Sequence, residues 1–170
     1  MGLEAESDHP GLAHQIVSVT GRGVSWLLLT LVGLSFAIVV LRYGFDLGWV
    51  WLQESVTWMH ATIFMIAAAW AFQTDDHVRV DIFYRTRSQR HRDRVNLAGC
   101  LLFLAPFCIF LLWSSWDYVA ASWSTGEASR ETGGLPAIYL LKSLILLMPM
   151  LMLLQCYSTA RGCWSRLRAK

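Results

Sequence analysis

Residues 95–123 read VNLAGCLLFLAPFCIFLLWSSWDYVAASW, a stretch of 29 positions that holds a single charge, Asp117. A soluble helix needs a wet face and interleaves charge along its length. This one has no such face. About 20 residues cross the ~30 Å of hydrocarbon in a bilayer, so the stretch spans with residues to spare, and its excess length implies tilt or projection beyond the membrane. Pro106 lies inside it and would break a soluble helix, but in lipid a proline is tolerated as a kink where neighbouring groups satisfy the freed carbonyl.

Three more stretches of the same character flank it, at about 24–43, 49–72 and 135–157, the last with an internal Pro149. Nearly all the charge sits in the first 22 residues, in 75–94, in a patch at 127–131 and in the last ten positions. The chain of 170 residues is 55% hydrophobic with a mean hydropathy of +0.43; the excess over a soluble domain is moderate, so its distribution decides the class. The fold class is an all-α membrane protein of four transmembrane helices. A polar tail at 1–22 precedes one membrane domain at 23–160, and a basic tail at 161–170 follows it. Residues 82–94 fit a short amphipathic helix at the membrane surface between spans two and three, with Ile82, Phe83 and Tyr84 toward lipid and the arginines toward headgroups.

Orientation follows from lysine and arginine in the short loops. Arg79, Arg85, Arg87, Arg90, Arg92 and Arg94 lie between spans two and three, and Arg161, Arg166, Arg168 and Lys170 lie in the C-terminal tail. The other two loops offer only Arg42 and Arg130. Both termini and the central loop are therefore expected in the cytoplasm. Trp49, Trp51, Trp116 and Trp123 near one set of span ends, and Trp26, Trp70 and Trp164 near the other, suit the aromatic belts of two interfaces. The acidic, polar start does not resemble a cleaved signal peptide, and nothing at Gly2 indicates a lipid anchor.

Several function classes find no support. A net charge of +2 and the lack of a basic stripe interleaved with aromatics argue against nucleic acid. No P-loop, nucleophile elbow or dinucleotide fingerprint occurs, so no enzyme activity is expected. Cys100, Cys108, Cys156 and Cys163 form no CxxC pair and sit in or beside apolar segments, as buried thiols do. His60 is the single histidine inside a span, and a haem site needs axial ligands that face each other across helices. Asp75, Asp76, His77, Asp81 and His91 match no metal-ligand spacing and read as a solvated charged surface.

Charges inside spans are costly and by default suggest a site. Glu54 is five residues from Trp49, Asp117 six from Trp123 and Lys142 seven from Leu135, which places all three roughly 8–10 Å below one face at 1.5 Å per residue. Arg42 stands close enough to join them from span one. Two readings follow: an ion or proton site, or a polar clasp that fixes helix packing or meets a partner subunit. The clasp is favoured, because Lys142 would neutralise the carboxylates and no polar route continues below this layer.

The order of features resembles a known family. Trp51-Leu52-Gln53-Glu54 opens span two, His77-Val78-Arg79-Val80-Asp81 follows it, and Glu127-Ala128-Ser129, Gly134-Leu135-Pro136, Tyr139 and Lys142 lead into span four. Over roughly 20–160 this resembles the small membrane subunit, DctQ-type, of tripartite ATP-independent periplasmic (TRAP) transporters. The resemblance implies a subunit of the bacterial inner membrane that works with two partners. One is a large permease subunit carrying the substrate and sodium sites; the other is a periplasmic binding protein that delivers an organic acid. The small subunit would brace the large one and help dock the binding protein, without a cofactor of its own. Glu54, Asp117, Lys142 and Arg42 are then candidates for subunit contacts, and Glu127, Arg130 and Glu131 for docking. The competing reading is a self-sufficient homodimeric transporter that couples to protons through Glu54.

Overall fold

A computed structural model describes residues 12–74 and 88–168. Their regular structure is helical, with no strand among the described residues: α1 is Leu12–Phe45, α2 Val50–Gln73, α3 Gln89–Gly99, α4 Ala105–Thr125 and α5 Ile138–Arg168. A π-helical turn, Cys100–Leu104, joins α3 to α4 into one continuous rod. Four units, Gln15–Phe45, Val50–Gln73, Gln89–Thr125 and Ile138–Arg168, are long and apolar enough to cross a membrane.

The helices outrun the apolar stretches. α1 starts at Leu12, well ahead of the apolar run at 24, and α5 continues to Arg168, beyond its end at 157. Helices satisfy their own backbone groups in either medium, so hydropathy marks where lipid ends and not where the helix does. Residues 75–87, which include Asp75, Asp76, His77 and Asp81, the three loop arginines Arg79, Arg85 and Arg87, and the 82–87 part of the amphipathic stretch, lie outside the described residues. Its remainder, Gln89–Arg94, forms the first turns of α3.

Pro106 explains the π turn beside it. Proline has no N–H to return to the preceding turn. The hydrogen bonding widens just before it, with the Ala105 N–H reaching Cys100 O, so that Pro106 falls in the opening turn of α4. There a missing donor is tolerated. The rod stays unbroken.

α5 is the hub. It packs against α2 on one side and α3, the π turn and α4 on the other, and it also touches α1; α1 packs mainly on α2. No close backbone approach joins α1 or α2 to α3 or α4, so the circuit of a closed four-helix bundle is left open. Val17, Ala69 and Leu151 form the seam between α1, α2 and α5, lined by Ile66, Trp70, Met152 and Leu154. Cys100, Cys108 and Cys156 line the other seam, where the Cys156 thiol donates to Cys100 O at 3.4 Å. All four cysteines are buried, and no disulfide joins them.

Close approach of α1 to α2 depends on Gly21. A Cβ there would fall 2.3–2.7 Å from three ring atoms of Trp70, whereas one on Gly23 would meet nothing within 4 Å. Gly21→Ala is therefore expected to destabilise the protein by about 1–3 kcal/mol through overpacking. Gly23→Ala should be neutral or slightly stabilising, since alanine is the better helix former. Thermal unfolding of the two variants in detergent micelles checks the contrast.

Candidate functional site

The end of the molecule formed by the 126–137 connection holds most of the charged residues singled out above. α4 stops at Gly126, which takes the left-handed conformation (φ +57°) and returns its N–H to Ser122 O and Trp123 O, the usual glycine stop. A second left-handed glycine, Gly133 (φ +80°), turns the chain back. Between them the Ser129 N–H donates to Leu135 O at 3.0 Å and the Gly134 N–H to Glu131 O at 3.0 Å, which closes the connection into a compact loop.

Glu54, one turn into α2, reaches this loop. One carboxylate oxygen accepts the Ser129 hydroxyl and the other accepts the Leu135 N–H at 2.6 Å. Gly134 has to be glycine at this contact, because a Cβ would come within 2.4–2.8 Å of the Ser129 side chain and Glu54 Oε1. Both oxygens of the half-buried Glu54 thus already serve internal donors.

Lys142 takes a different partner. Its ammonium lies 2.5 Å from Glu127 Oε2 and 4.1 Å from the centre of the Tyr118 ring. The same Glu127 oxygen accepts the Ser122 hydroxyl at 2.7 Å. Trp123 Nε1–H donates to Ser143 Oγ at 2.9 Å and its ring packs on Tyr139, with centroids 4.6 Å apart. Together these contacts fasten the end of α4 to the start of α5.

The four residues grouped by depth do not share one cluster. No ion pair joins Glu54 or Asp117 to Lys142, and Asp117 and Arg42 are exposed without a partner among the described residues. Glu54 and Lys142 both lie at this end of the molecule, but the direction in which each side chain points separates them. Of the loop trio, Glu127 is held inside the clasp, while Arg130 and Glu131 face outward.

A second clasp at the opposite end was not visible in the sequence pattern. Asp93 is buried on α3, and Arg166 near the end of α5 places Nη2 2.9 Å and Nε 3.3 Å from its carboxylate; Gln89 adds a contact at 3.4 Å. In the basic run Gln89-Arg90-His91-Arg92-Asp93-Arg94 the lone acid reads as one more solvated charge. The available signal was its position, level with the arginines that end span four. Nothing in this arrangement forms a metal centre: no group of three or more His, Cys, Asp or Glu side chains comes together among the described residues.

Four membrane-length helices in an open arrangement, held at each end by polar clasps, define a helical membrane protein. A family model for the DctQ component of the tripartite ATP-independent periplasmic transporters matches residues 31–166, and the chain belongs to that family of small TRAP permeases. A C4-dicarboxylate TRAP transporter small permease protein DctQ from Vibrio cholerae serotype O1 is similar at 31% identity over 106 residues, a stretch covering 61% of this chain and 44% of that relative.

Two measurements test the clasps. Asp93 is 3% exposed and Arg166 54%. Removing the arginine strands a buried carboxylate, whereas removing the acid leaves a guanidinium that turns to water. Arg166→Ala should therefore cost more than Asp93→Ala, about 1–3 kcal/mol, less than the 3–5 typical of a fully buried pair. At the other end, Lys142 and then Ser122 hold the Glu127 carboxyl below its ordinary value. Its stabilising effect is complete above that ordinary value and is lost as pH falls through the lower folded one. Unfolding followed from neutral to acidic pH should show this loss in the unaltered chain and a smaller one in Glu127→Gln.

Proposed function

We propose that this chain is the small, non-translocating permease subunit of a sodium-coupled TRAP transporter for organic acids. It would sit in the bacterial inner membrane with both termini in the cytoplasm, bracing a large permease subunit that carries substrate and sodium. The family match over 31–166 carries this reading, and the dicarboxylate in the name of the Vibrio relative favours a small dicarboxylate as cargo. The physical chemistry supports a brace. The helices leave much of their apolar surface uncovered, with Trp113 84%, Phe103 75% and Trp26 74% exposed. Inside lipid such surface gains little from hydrophobicity, and association must come from packing and polar contacts.

Docking of the periplasmic binding protein falls to Arg130 and Glu131, the outward-facing members of the loop trio. Glu127 serves this surface indirectly by fixing the loop through Lys142. The competing reading, a homodimer that moves protons through Glu54, asks that carboxylate to bind and release an ion while both its oxygens hold internal donors. That arrangement favours a structural carboxylate.

Reconstitution tests the proposal. Liposomes holding this chain alone should take up no C4-dicarboxylate under a sodium or proton gradient, and uptake should appear when a large TRAP permease and its binding protein are supplied. Transport by the isolated chain that Glu54→Gln abolishes would establish the homodimer instead.

A further inference from the structure

α2 carries a polar stripe that its own chain does not cover. Gln53, Thr57, His60 and Phe64 are all exposed, and their spacing of four, three and four residues puts them on one face of a 3.6-residue helix. The opposite side of α2 packs against α1 and α5. The side chains of Gln53 and His60 have no hydrogen-bond partner among the described residues, and Thr57 makes only a long 3.5 Å bond back to Gln53 O.

His60 is deep. It lies ten residues from Val50 and thirteen from Gln73, the two ends of α2, which is about 15 and 20 Å along the axis. A neutral imidazole offers one donor and one acceptor, and hydrocarbon satisfies neither. At the depth of His60 the outward faces of α1 and α4 are apolar. On α1 the exposed Val32, Phe36, Val39 and Val40 are apolar, and Thr30 bonds to Trp26 O of its own helix. On the π turn and α4 the exposed Phe103, Phe107 and Phe110 are apolar too, Ser114 bonds to Leu111 O, and the exposed Asp117 stands only eight residues from the end of α4 at Thr125. At that depth these faces suit lipid. The α2 face does not.

We infer that the Gln53–Thr57–His60–Phe64 face of α2 is the docking surface for a membrane-spanning helix of the large permease subunit, one that presents hydrogen-bonding side chains opposite His60 and Gln53. The inference rests on the small-permease reading above and specifies which face that subunit covers. Polar residues act as glue between helices in lipid, where a second helix is the one available source of donors and acceptors. Phe64 extends the stripe with an apolar anchor.

Three phenylalanines of similar exposure, Phe36 at 70%, Phe64 at 67% and Phe107 at 58%, stand on α1, α2 and α4 and allow a matched comparison. Each is replaced in turn by the photoreactive benzoylphenylalanine, the chain is co-expressed with the large permease, and the membranes are irradiated. An adduct with the mass of this chain plus the large permease, formed at position 64 and not at 36 or 107, is the expected result. Adducts at 36 or 107 with none at 64, lipid adducts alone at 64, or an adduct of two copies of this chain at 64 would each overturn the inference. Co-purification of the unaltered chain with the large permease is scored separately. Its failure removes the small-permease reading itself, whereas co-purification with a silent position 64 removes this inference alone. In parallel, the triple variant Gln53→Leu, Thr57→Val, His60→Leu should lower recovery of the large permease about tenfold while its own helicity in detergent is unchanged; undiminished recovery would also overturn it.

Discussion

The carboxylate of Glu54 ties together parts of the chain that are far apart in sequence. By accepting from Ser129 and from the Leu135 N–H, it fixes the loop between α4 and α5 to the beginning of α2. The loop in turn sets Glu127 against Lys142. In lipid the cost of an unsatisfied polar group is what makes such a bond directive, because alternatives with water are missing. An apolar residue at 54 would leave the Leu135 N–H to find another partner, and the loop would lose the contact that positions it.

The second clasp, Asp93 with Arg166, does the corresponding work at the other end of α5. Between the two lie seams of small and sulfur-bearing side chains, Ala69 with Leu151 and Cys100 with Cys156, which permit close approach without polar direction. The division of labour is consistent: dispersion along the length of the helices, ionic and hydrogen-bonded contacts at their ends. It also leaves α5 as the element through which both halves are joined, since no close backbone approach links α1 or α2 to α3 or α4.

The number of helices, their approximate limits and the special status of Glu54 and Lys142 were legible in the sequence. A bilayer imposes a length and an apolar composition, and both are local properties. The partners were not legible, for three separate reasons. Counting residues gives the distance of a side chain from the end of its helix but not its direction around the axis, so it does not show that Glu54 and Lys142 turn to different partners and that Asp117 meets neither. A backbone N–H such as that of Leu135 carries no mark in the sequence. Asp93 and Arg166 lie in charged stretches where any single ion pair is hidden among many solvated charges. The surplus helical turns before Val24 and after Tyr157 were missed because polar helix and polar coil have the same hydropathy.

The π turn before Pro106 has a consequence for rotational phase. The buried positions along the rod from Gln89 to Thr125 are Asp93, Cys100, Cys108, Val119 and Ser122. Each residue of a regular helix turns about 100°, so intervals of seven and eleven return a side chain to within about 20° of its starting direction. The interval of eight from Cys100 to Cys108 would instead overshoot by about 80°. That interval contains the π turn, whose single extra residue takes up the difference. The rod can therefore face α5 from Asp93 to Ser122, although no one helical wheel drawn over its whole length would show a continuous stripe. Its two halves are the same seam written in two registers, and the residue count between Cys100 and Cys108 is what keeps them aligned.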